Sequence, residues 1–578
     1  MDQTISSLED TQSLLRCARG DEPADLVLKN CSVINVFSAE ILHGDVAVLG
    51  NKIAGVGDYN GREEIDLQGA HVCPGFIDGH IHIESSMLSP REFGRAVAIH
   101  GTTSVICDPH EIANVAGLPG IHYILDQGAH AGVDIFAMAP SCVPATHMET
   151  AGARLESNEV AELLKHPAIL GLAEMMNFPG AVAGDPSVLA KLEAARRSGM
   201  LIDGHAPGLS GKLLQAYRCL GIDSDHECVD LEEAREKLRA GMYIFIREGS
   251  TAQNLENLLP LVTPAVQERC LLVSDDKDPN DLLTKGHLDH ALAKAVALGL
   301  DPVSAIRLVT SNAARRFGLL DRGAIVPGLR ADLVVLSDLK EMRVGRVYRG
   351  GSLVAADGKY LGGPSRTTAT RTLPSSIDID WSAVDFAVPA RSGKLRVIGL
   401  IPDQIVTRGL TMEPRIVNDL VVSDPDRDLL KIAVIERHRG SGSMMTGFVH
   451  GMGIKRGALA TTVAHDSHNL VVVGASDTEM RRAAEACGAM GGGLAVVEGE
   501  EVIASLPLPI GGLMSEDSLE EVAGGLERAL AAAKSLGCIP ANPFMAAGFL
   551  ALPVIPELKI TDKGLVDVGI FDHVSLWT

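Results

Sequence analysis

The sequence predicts a (β/α)8 barrel inserted in a small β-sandwich-like domain, followed by a C-terminal α/β domain. Two observations carry this prediction. Residues 76–323 alternate eight times between short apolar runs and segments with helical spacing, which is typical of a barrel of about 250 residues. Short strand-like runs separated by Gly and Asn turns flank this segment at 22–75 and 324–363, which indicates one small domain assembled from both sides.

The predicted elements follow in chain order. The flanking strands are 24–36, 45–49 and 53–56, and then 331–336, 345–348 and 353–359. The eight barrel strands are 75–83, 102–107, 133–139, 168–174, 200–205, 221–226, 242–246 and 270–275. A doubly wound open sheet is the competing fold, but no Gly-x-Gly-x-x-Gly follows any of these runs.

A Ser/Thr-rich stretch at 365–376 is predicted to be a linker. The last domain, 377–578, then contains strands near 396–401, 432–435, 469–473 and 494–497 and a helix near 519–536.

Composition limits the partners of this chain. Its 578 residues are 46% hydrophobic and 3% aromatic, which describes aliphatic globular cores. The net charge of -23 argues against a nucleic-acid or anionic-membrane surface, because both require clustered Lys and Arg. Any nucleobase bound here would therefore enter as a small molecule.

The predicted location is the cytoplasm. The ten cysteines include no Cys-x-x-Cys pair, which fits reduced thiols. The N-terminus carries neither the basic nor the apolar segment of a signal peptide. The uncharged run 535–556 is long enough to span a bilayer, but its four prolines favour a buried strand and loop.

Six candidate metal ligands stand at the ends of predicted barrel strands, where active-site residues of such barrels lie. Residues i and i+2 of a strand share one face, so a His-x-His pair can point at one ion. Any one of the six alone is more simply a loop or capping residue. Together they supply ligands for two divalent ions, with Glu174 as the bridge. The six are His80, His82, Glu174, His205, His226 and Asp275.

Three segments can be compared with known families. They read GFIDGHIHIESSM at 75–87, TSNAA to ADLVV at 310–335, and VAHDSHN at 463–469. The first two resemble the amidohydrolase superfamily. The ESSM tail and the third segment are similar to adenine deaminases, and the resemblance covers nearly the whole chain.

The resemblance implies hydrolytic deamination of adenine to hypoxanthine and ammonia in purine salvage. It also implies a homodimer with two divalent ions, Mn²⁺ or Fe²⁺ rather than Zn²⁺. Many binuclear relatives bridge their metals with a carboxylated Lys on the fourth strand, whereas here Glu174 ends that strand. Mononuclear adenosine and cytosine deaminases place a Glu shortly after the fifth-strand His, but His205 is followed by Ala-Pro-Gly. The first departure means that the Glu174 carboxylate serves directly, and the second favours a binuclear centre over a mononuclear one.

Catalytic and substrate roles follow from this arrangement. Asp275, with one oxygen on a metal and the second free, is the expected proton acceptor, and Glu174 is a second candidate for proton transfer. Glu84, Ser85 and Ser86 directly follow the paired histidines, so they are expected to line the pocket. The alternative is that Ser85 or Ser86 caps a helix.

Two further groups have open roles. His110 and Glu111 end the second strand and are candidate substrate contacts, with a simple turn as the alternative. His465, Asp466 and His468 are compatible with a third metal site, an interdomain hydrogen-bond cluster, or a lid over the barrel. The sequence supplies no fourth ligand near them, which favours the second or third interpretation.

Two other functions stay open. One is a different binuclear amidohydrolase that acts on a cyclic amide or an N-acetyl substrate. The other is a non-catalytic relative, which the six filled ligand positions disfavour.

Overall fold

The structure is a computed structural model that describes residues 7–362, 373, 376–402 and 404–578. Most of the predicted linker at 365–376 therefore lies outside the described residues. The helix Leu8–Ala18 comes first and is capped by Ser7, whose side chain accepts the Asp10 backbone N–H.

Strands from both flanks of the middle segment join in one mixed sheet. The strand Leu333–Asp338 pairs antiparallel with His71–Pro74, so the chain returns to the sheet that it left before the middle segment. The flanking part predicted as sandwich-like is thus one continuous hydrogen-bonded sheet. Its nine strands are Ala24–Asn35, Glu40–Leu49, Lys52–Gly57, Gly61–Asp66, His71–Pro74, Leu333–Asp338, Arg343–Arg349, Ser352–Ala356 and Lys359–Tyr360.

The middle segment consists of parallel strands separated by helices. Two parallel sheets contain them, one of six strands and one of three. The strands are Phe76–His82, Thr102–Cys107, Asp134–Ala139, Ile169–Met175, Leu201–Gly204, Ser224–Asp225, Tyr243–Arg247, Cys270–Val273 and Asp275–Asp276.

The last predicted strand is split, and the split brings the two ends of the series together. Cys270–Val273 pairs with Tyr243–Arg247, whereas Asp275–Asp276 pairs in parallel with the first strand, Phe76–His82. Asp275 has a φ of 57°, a left-handed conformation that interrupts the strand. The parallel strands therefore curl until the last lies beside the first.

The helices of this segment pack outside the strands, and many begin at a Ser or Asp cap. Ser89 and Asp230, for example, accept backbone N–H groups of the first helical turn. These helices are Pro90–Ala98, His110–Ala116, Leu118–Gly128, Ser157–Leu163, Phe178–Ala183, Pro186–Arg197, Gly211–Cys219, Leu231–Arg239, Leu255–Leu258, Pro279–Thr284, Leu288–Ala297, Pro302–Leu308 and Ser311–Arg316.

The C-terminal part is built on an eight-stranded sheet with two longer helices, Asp477–Ala489 and Leu519–Ser535. The strands predicted near 396–401, 432–435, 469–473 and 494–497 all belong to this sheet. In sheet order its strands are Thr407–Met412, Leu395–Leu400, Met444–His450, Leu429–Ile435, Leu470–Gly474, Ala458–Thr461, Gly493–Glu498 and Glu501–Pro507.

The run 535–556 differs from its prediction, because it contains the helix Pro543–Phe549 rather than a strand. Pro543 starts this helix, where its missing N–H costs nothing. Within the described residues, every helix is too short or too polar to span a bilayer.

The C-terminal part packs directly against the middle segment. One apolar cluster runs through both, from Ile112 beside the second parallel strand to Leu513 and Met514. Polar contacts add to this packing: the Tyr123 hydroxyl donates to Glu516 at 2.9 Å. The loop 462–469, between the strands Ala458–Thr461 and Leu470–Gly474, contacts Glu111 just beyond the second parallel strand.

Candidate active site

The structure brings all six predicted ligands into one group with Glu174 in the middle; five of them are buried and His205 is partly exposed. Glu174 Oε1 lies 3.4 Å from His82 Nε2 and 3.9 Å from His80 Nε2. Its other oxygen, Oε2, lies 2.6 Å from His205 Nδ1 and 3.1 Å from His226 Nε2. Glu174 thus divides its two oxygens between two pairs of imidazoles.

Asp275 completes the group from the split last strand. Its Oδ1 lies 3.4 Å from His80 Nε2 and 3.2 Å from His82 Nε2. Its Oδ2 accepts a hydrogen bond from Arg247 at 3.0 Å. The expectation that the second oxygen of Asp275 is free is therefore wrong, because a buried guanidinium occupies it.

Arg247 and Glu227 are site residues that the sequence prediction missed. Arg247 ends the seventh strand and forms a fork with both oxygens of Glu227, one of them at 3.0 Å. Glu227 directly follows His226, and its Oε1 lies 3.4 Å from His226 Nε2 and 3.7 Å from His205 Nδ1. The available signal was position, since both residues stand at strand ends like the six that were predicted.

Two buried charged residues, Asp78 and Lys237, fix the strand ends that carry the ligands. Asp78 accepts the backbone N–H groups of His80 and Ser274 and lies 3.1 Å from His287 Nε2, which ties the first strand to the last. On the other side of the site, Lys237 holds the strand end that precedes His226. It donates to Asp225, the residue before His226, at 2.8 Å.

The charges in the group attract one another. Burial opposes ionisation of Glu174, but the neighbouring His226 and His205 hold the pKa of this carboxyl well below its usual range. Burial likewise opposes charge on His226, yet Glu174 raises the pKa of this imidazole well above 6.5. Burial also disfavours charge on Asp275, but contacts with His80 and with His82 lower its pKa.

The donor set fits divalent cations. Within the described residues, His80 Nε2 is buried without a hydrogen-bond partner. Two groups of potential ligand atoms lie within 4.8 Å of one another: His80, His82 and Asp275 form the first, and His80, Glu174 and His226 form the second. Imidazole nitrogen and carboxylate oxygen suit Mn, Fe and Zn alike. These residues could therefore hold two ions that share Glu174.

The predicted substrate residues after the His pair lie on the 3-10 turn Ile83–Ser86. Glu84 accepts the Ile112 N–H at 3.1 Å, and burial raises the pKa of Glu84 to about 7. Ser85 Oγ donates to Asp276 at 2.5 Å, whereas Ser86 Oγ donates to the Ile83 carbonyl within the turn. Neither serine caps a helix. The cap of the next helix, Pro90–Ala98, is Ser89.

His110 and Glu111 begin the helix His110–Ala116 and are both buried, so the alternative of a simple turn is wrong. His110 Nδ1 lies 3.1 Å from Asp108 Oδ2 and 3.7 Å from Glu174 Oε1. Glu111 turns toward the C-terminal domain, where His465 and His468 contact its two carboxylate oxygens. Residues 465 and 468 thus belong to an interdomain hydrogen-bond cluster.

The hydrogen-bond pattern of His468 argues against a third metal site. The Ala464 backbone N–H donates to His468 Nδ1 at 3.0 Å, so Nδ1 is an acceptor and the ring proton lies on Nε2. That Nε2–H donates to Glu111. An imidazole in this tautomer has no free lone pair to offer a metal.

Two family models match this chain. A family model described as "Amidohydrolase family" matches residues 71–354. A second, described as "Adenine deaminase C-terminal domain", matches residues 404–572. Together they define a hydrolase of the amidohydrolase class, whose members use divalent metal ions.

Full-length relatives narrow the class. An "Adenine deaminase" of Desulfatibacillum aliphaticivorans is 52% identical over 98% of this chain and 99% of its own. An "Adenine deaminase 2" of Carboxydothermus hydrogenoformans is 48% identical over the same shares of the two chains. These two relatives show that the chain belongs to the adenine deaminase family. Separately, a solved structure described as "Crystal structure of an adenine deaminase" covers 57% of this chain and 99% of its own, with a TM-score of 0.43 and 19% identity.

Proposed function

We propose that this protein hydrolyses adenine to hypoxanthine and ammonia at a binuclear metal centre. The observation that carries the proposal is the position of Glu174 between two pairs of imidazoles. A carboxylate in this position can serve as the bridge that a carboxylated Lys provides in other binuclear amidohydrolases. The full-length similarity to adenine deaminases supports the choice of substrate.

The scaffold of this centre is proposed to be a closed (β/α)8 barrel. Support comes from the parallel pairing of Asp275 with Ile81, because it sets the last strand beside the first. In such a barrel the carboxyl ends of all strands meet at one face, which accounts for the convergence of ligands from five different strands.

The proposed metal ligands are the six predicted ones, and Mn²⁺ or Fe²⁺ is proposed from the family resemblance. When bound, two divalent cations polarise the substrate and activate a water molecule near neutral pH. The first ion would be held by His80, His82 and Asp275, and the second by His205 and His226, with Glu174 shared between them.

Proton transfer is assigned to Asp275 rather than to Glu174. Both oxygens of Glu174 contact imidazoles, which leaves little basicity at either. In the described part of the chain, Asp275 Oδ2 contacts Arg247 and no imidazole. We propose that Asp275 takes the proton of the attacking water and passes it toward the leaving ammonia. Contacts with His80, His82 and Arg247 keep this carboxylate ionised before the reaction.

Adenine would bind beside the ions, near Glu84 and His110. Ser85 acts on this pocket through Asp276, whose carboxylate accepts its hydroxyl. Ser86 is the weakest of the five proposed substrate contacts, because its hydroxyl already donates to the Ile83 carbonyl. Glu111 is better explained by the interdomain cluster described above.

The test is turnover of adenine by the metal-loaded protein. The protein is stripped with a chelator, reloaded separately with Mn²⁺, Fe²⁺ or Zn²⁺, and assayed for ammonia and hypoxanthine. Metal content is measured in parallel, and about two ions per chain are expected. Dihydroorotate and an N-acetylated amino sugar represent the alternative, a cyclic amidase or deacetylase. Turnover of either with none of adenine would replace the proposal with that alternative.

The cellular role proposed for this activity is purine salvage in the cytoplasm by a homodimer. The role follows from the reaction, because it recycles a free base. The dimer stays a prediction from the family resemblance, and sedimentation of the metal-loaded protein tests it.

A further inference from the structure

The C-terminal domain contributes the loop 462–469 to the neighbourhood of the metal centre. A chain of polar contacts connects them: His110 lies 3.7 Å from Glu174, Glu111 Oε1 lies 3.5 Å from His110 Nε2, and His465 Nδ1 lies 2.5 Å from Glu111. The loop residue Asp466 is close enough for the charges of Glu111 and Glu174 to act on it. Residues 354 positions apart in the chain therefore meet at one site.

His465 is held on one edge and on one face. Its Nδ1 contacts Glu111, and Phe549 stacks on its ring with centroids 4.8 Å apart and an angle of 14°. A ring fixed in this way presents its opposite edge, Nε2, in a single direction. Glu111 thus acts as a positioning residue for His465.

Several buried polar atoms in and around this loop lack hydrogen-bond partners in the described part of the chain. One of them, Asn469 Oδ1, lies at the end of the loop, where the Asn469 amide donates to the Thr150 carbonyl. Three others concern the metal site: His465 Nε2, Asp466 Oδ2 and Glu84 Oε2, whose residues are 5%, 3% and 3% exposed. Glu84 accepts the N–H of Ile112, the neighbour of Glu111, at 3.1 Å, and the charge of Glu111 acts on Glu84. Buried polar groups without partners are costly and rare in folded proteins. Three of them together indicate that a ligand supplies the missing hydrogen bonds.

The chemistry of these atoms selects the ligand. Carboxylate oxygens accept hydrogen bonds from N–H groups. The free edge of the His465 imidazole can donate a hydrogen bond to a ring nitrogen or accept one from a ring N–H. The Arg247 guanidinium is already paired with Glu227 and Asp275. Such a surface suits a neutral heteroaromatic ring with N–H donors.

We propose that His465 and Asp466, supplied by the C-terminal domain, bind the purine ring of the substrate together with Glu84. This inference rests on the proposed adenine deamination and adds the residues that read its substrate. It also gives the C-terminal domain a direct part in specificity, because free adenine carries an N–H on its five-membered ring that N9-substituted adenines lack.

The experiment compares three variants of the metal-loaded full-length protein. Asp466→Asn removes the carboxylate, and His465→Asn keeps a donor for Glu111 while it removes the Nε2 edge. The matched control is Asp562→Asn, because Asp562 is also a buried acid of the C-terminal domain with an unpartnered Oδ2 among the described residues, and it contacts Thr150 instead of the cluster. Steady-state kinetics with adenine and with 9-methyladenine, which lacks the N–H of the five-membered ring, are measured for each variant. The dissociation constant of hypoxanthine and the metal content are measured in parallel.

We expect kcat/KM for adenine to fall about 10- to 100-fold in Asp466→Asn and His465→Asn, as for other lost hydrogen bonds to a charged group. The dissociation constant of hypoxanthine should rise by a similar factor, with metal content unchanged. Asp562→Asn should stay within about threefold of the wild type, because the Asp562 carboxylate accepts the Thr150 N–H rather than a group of the cluster.

The outcomes separate the two proposals. A wild-type protein that releases no ammonia from adenine refutes the proposed function. An active wild type whose Asp466 and His465 variants bind hypoxanthine normally refutes only the purine-binding role. Equal losses in all three variants would also overturn that role, because they would reflect general disturbance of the domain. A selective loss in the first two, with discrimination against 9-methyladenine weakened, supports it.

Discussion

The substitution Lys237→Met tests whether the site depends on the buried anchor under its two later histidines. Lys237 and Asp225 are both 0% exposed. The Lys237 ammonium donates to Asp225 at 2.8 Å, to the Ala206 carbonyl at 2.6 Å and to Glu233 at 2.6 Å. Ala206 follows His205 in the chain, so one ammonium fixes the backbone beside two proposed ligands.

The size of the effect follows from these contacts. Removal of one partner of a buried ion pair costs about 3–5 kcal/mol of unfolding free energy, because the other charge stays buried. Methionine has similar volume, so the packing loss is small beside the loss of charge. The freed Asp225 carboxylate should also disturb its bond to the Ala206 N–H. Loss of groups that orient metal ligands typically lowers metal affinity about 10- to 100-fold.

The control is Lys431→Met in the C-terminal sheet. Lys431 is also 0% exposed and donates to Asp477 at 2.8 Å and to the Phe386 carbonyl at 2.8 Å. Urea denaturation should show a loss of stability in both variants. Metal affinity, measured by competition with a chromophoric chelator, should fall only in Lys237→Met. Equal metal affinity in the two variants would refute the link between the anchor and the histidines.

Three further predictions use other parts of the structure. Asp275→Asn should keep bound metal but lose about 100-fold or more in kcat, as expected for a lost proton carrier; an active variant in a kinetic assay would contradict the assignment. Burial raises the pKa of Glu149 to about 8, so its folded form holds a proton that the unfolded chain releases above pH 4.5. Stability should therefore fall as pH rises from 4.5 to 8. In urea denaturation, the unfolding free energy of Glu149→Gln should equal that of the wild type at pH 4.5 and exceed it by up to about 3 kcal/mol at pH 7. Equal pH dependence of stability in the two proteins would show that ionisation of the buried Glu149 costs no stability. Chelation of the metal-loaded protein should lower its thermal midpoint, with recovery on addition of Mn²⁺; an unchanged midpoint in calorimetry would show that the ions add no stability.

The residues that sequence could predict are those whose geometry is local. His80 and His82 share a face because a strand repeats every two residues. Glu174 and Asp275 could be placed beside them because parallel strands end at a common face. The strand Thr102–Cys107 even matches its predicted bounds, since a short β-branched run bounded by Gly leaves little choice.

The remaining features depend on contacts that no local pattern encodes. The Arg247 guanidinium reaches Asp275 across 28 positions, and nothing in either segment indicates that the second carboxylate oxygen is engaged. The pairing of Glu111 with His465 spans two domains. The split of the last strand could not be predicted either. The break at Asp275 requires a left-handed conformation at a residue other than glycine, and tertiary packing must enforce that conformation.

Charge balance connects the metal centre, the C-terminal loop and the choice of substrate. Burial of several carboxylates in one place is unfavourable unless cations or N–H donors offset each of them. His465 and His468 offset Glu111, and Arg247 offsets Glu227 and part of Asp275. Among the described residues, the contacts of Glu174 are with imidazoles, which makes divalent ions its natural complement. A phosphorylated substrate would bring about two more negative charges, which would compete with Glu174 and Asp275 for the same ions. A neutral base brings none and leaves that pairing intact, which favours a free nucleobase over its nucleotides.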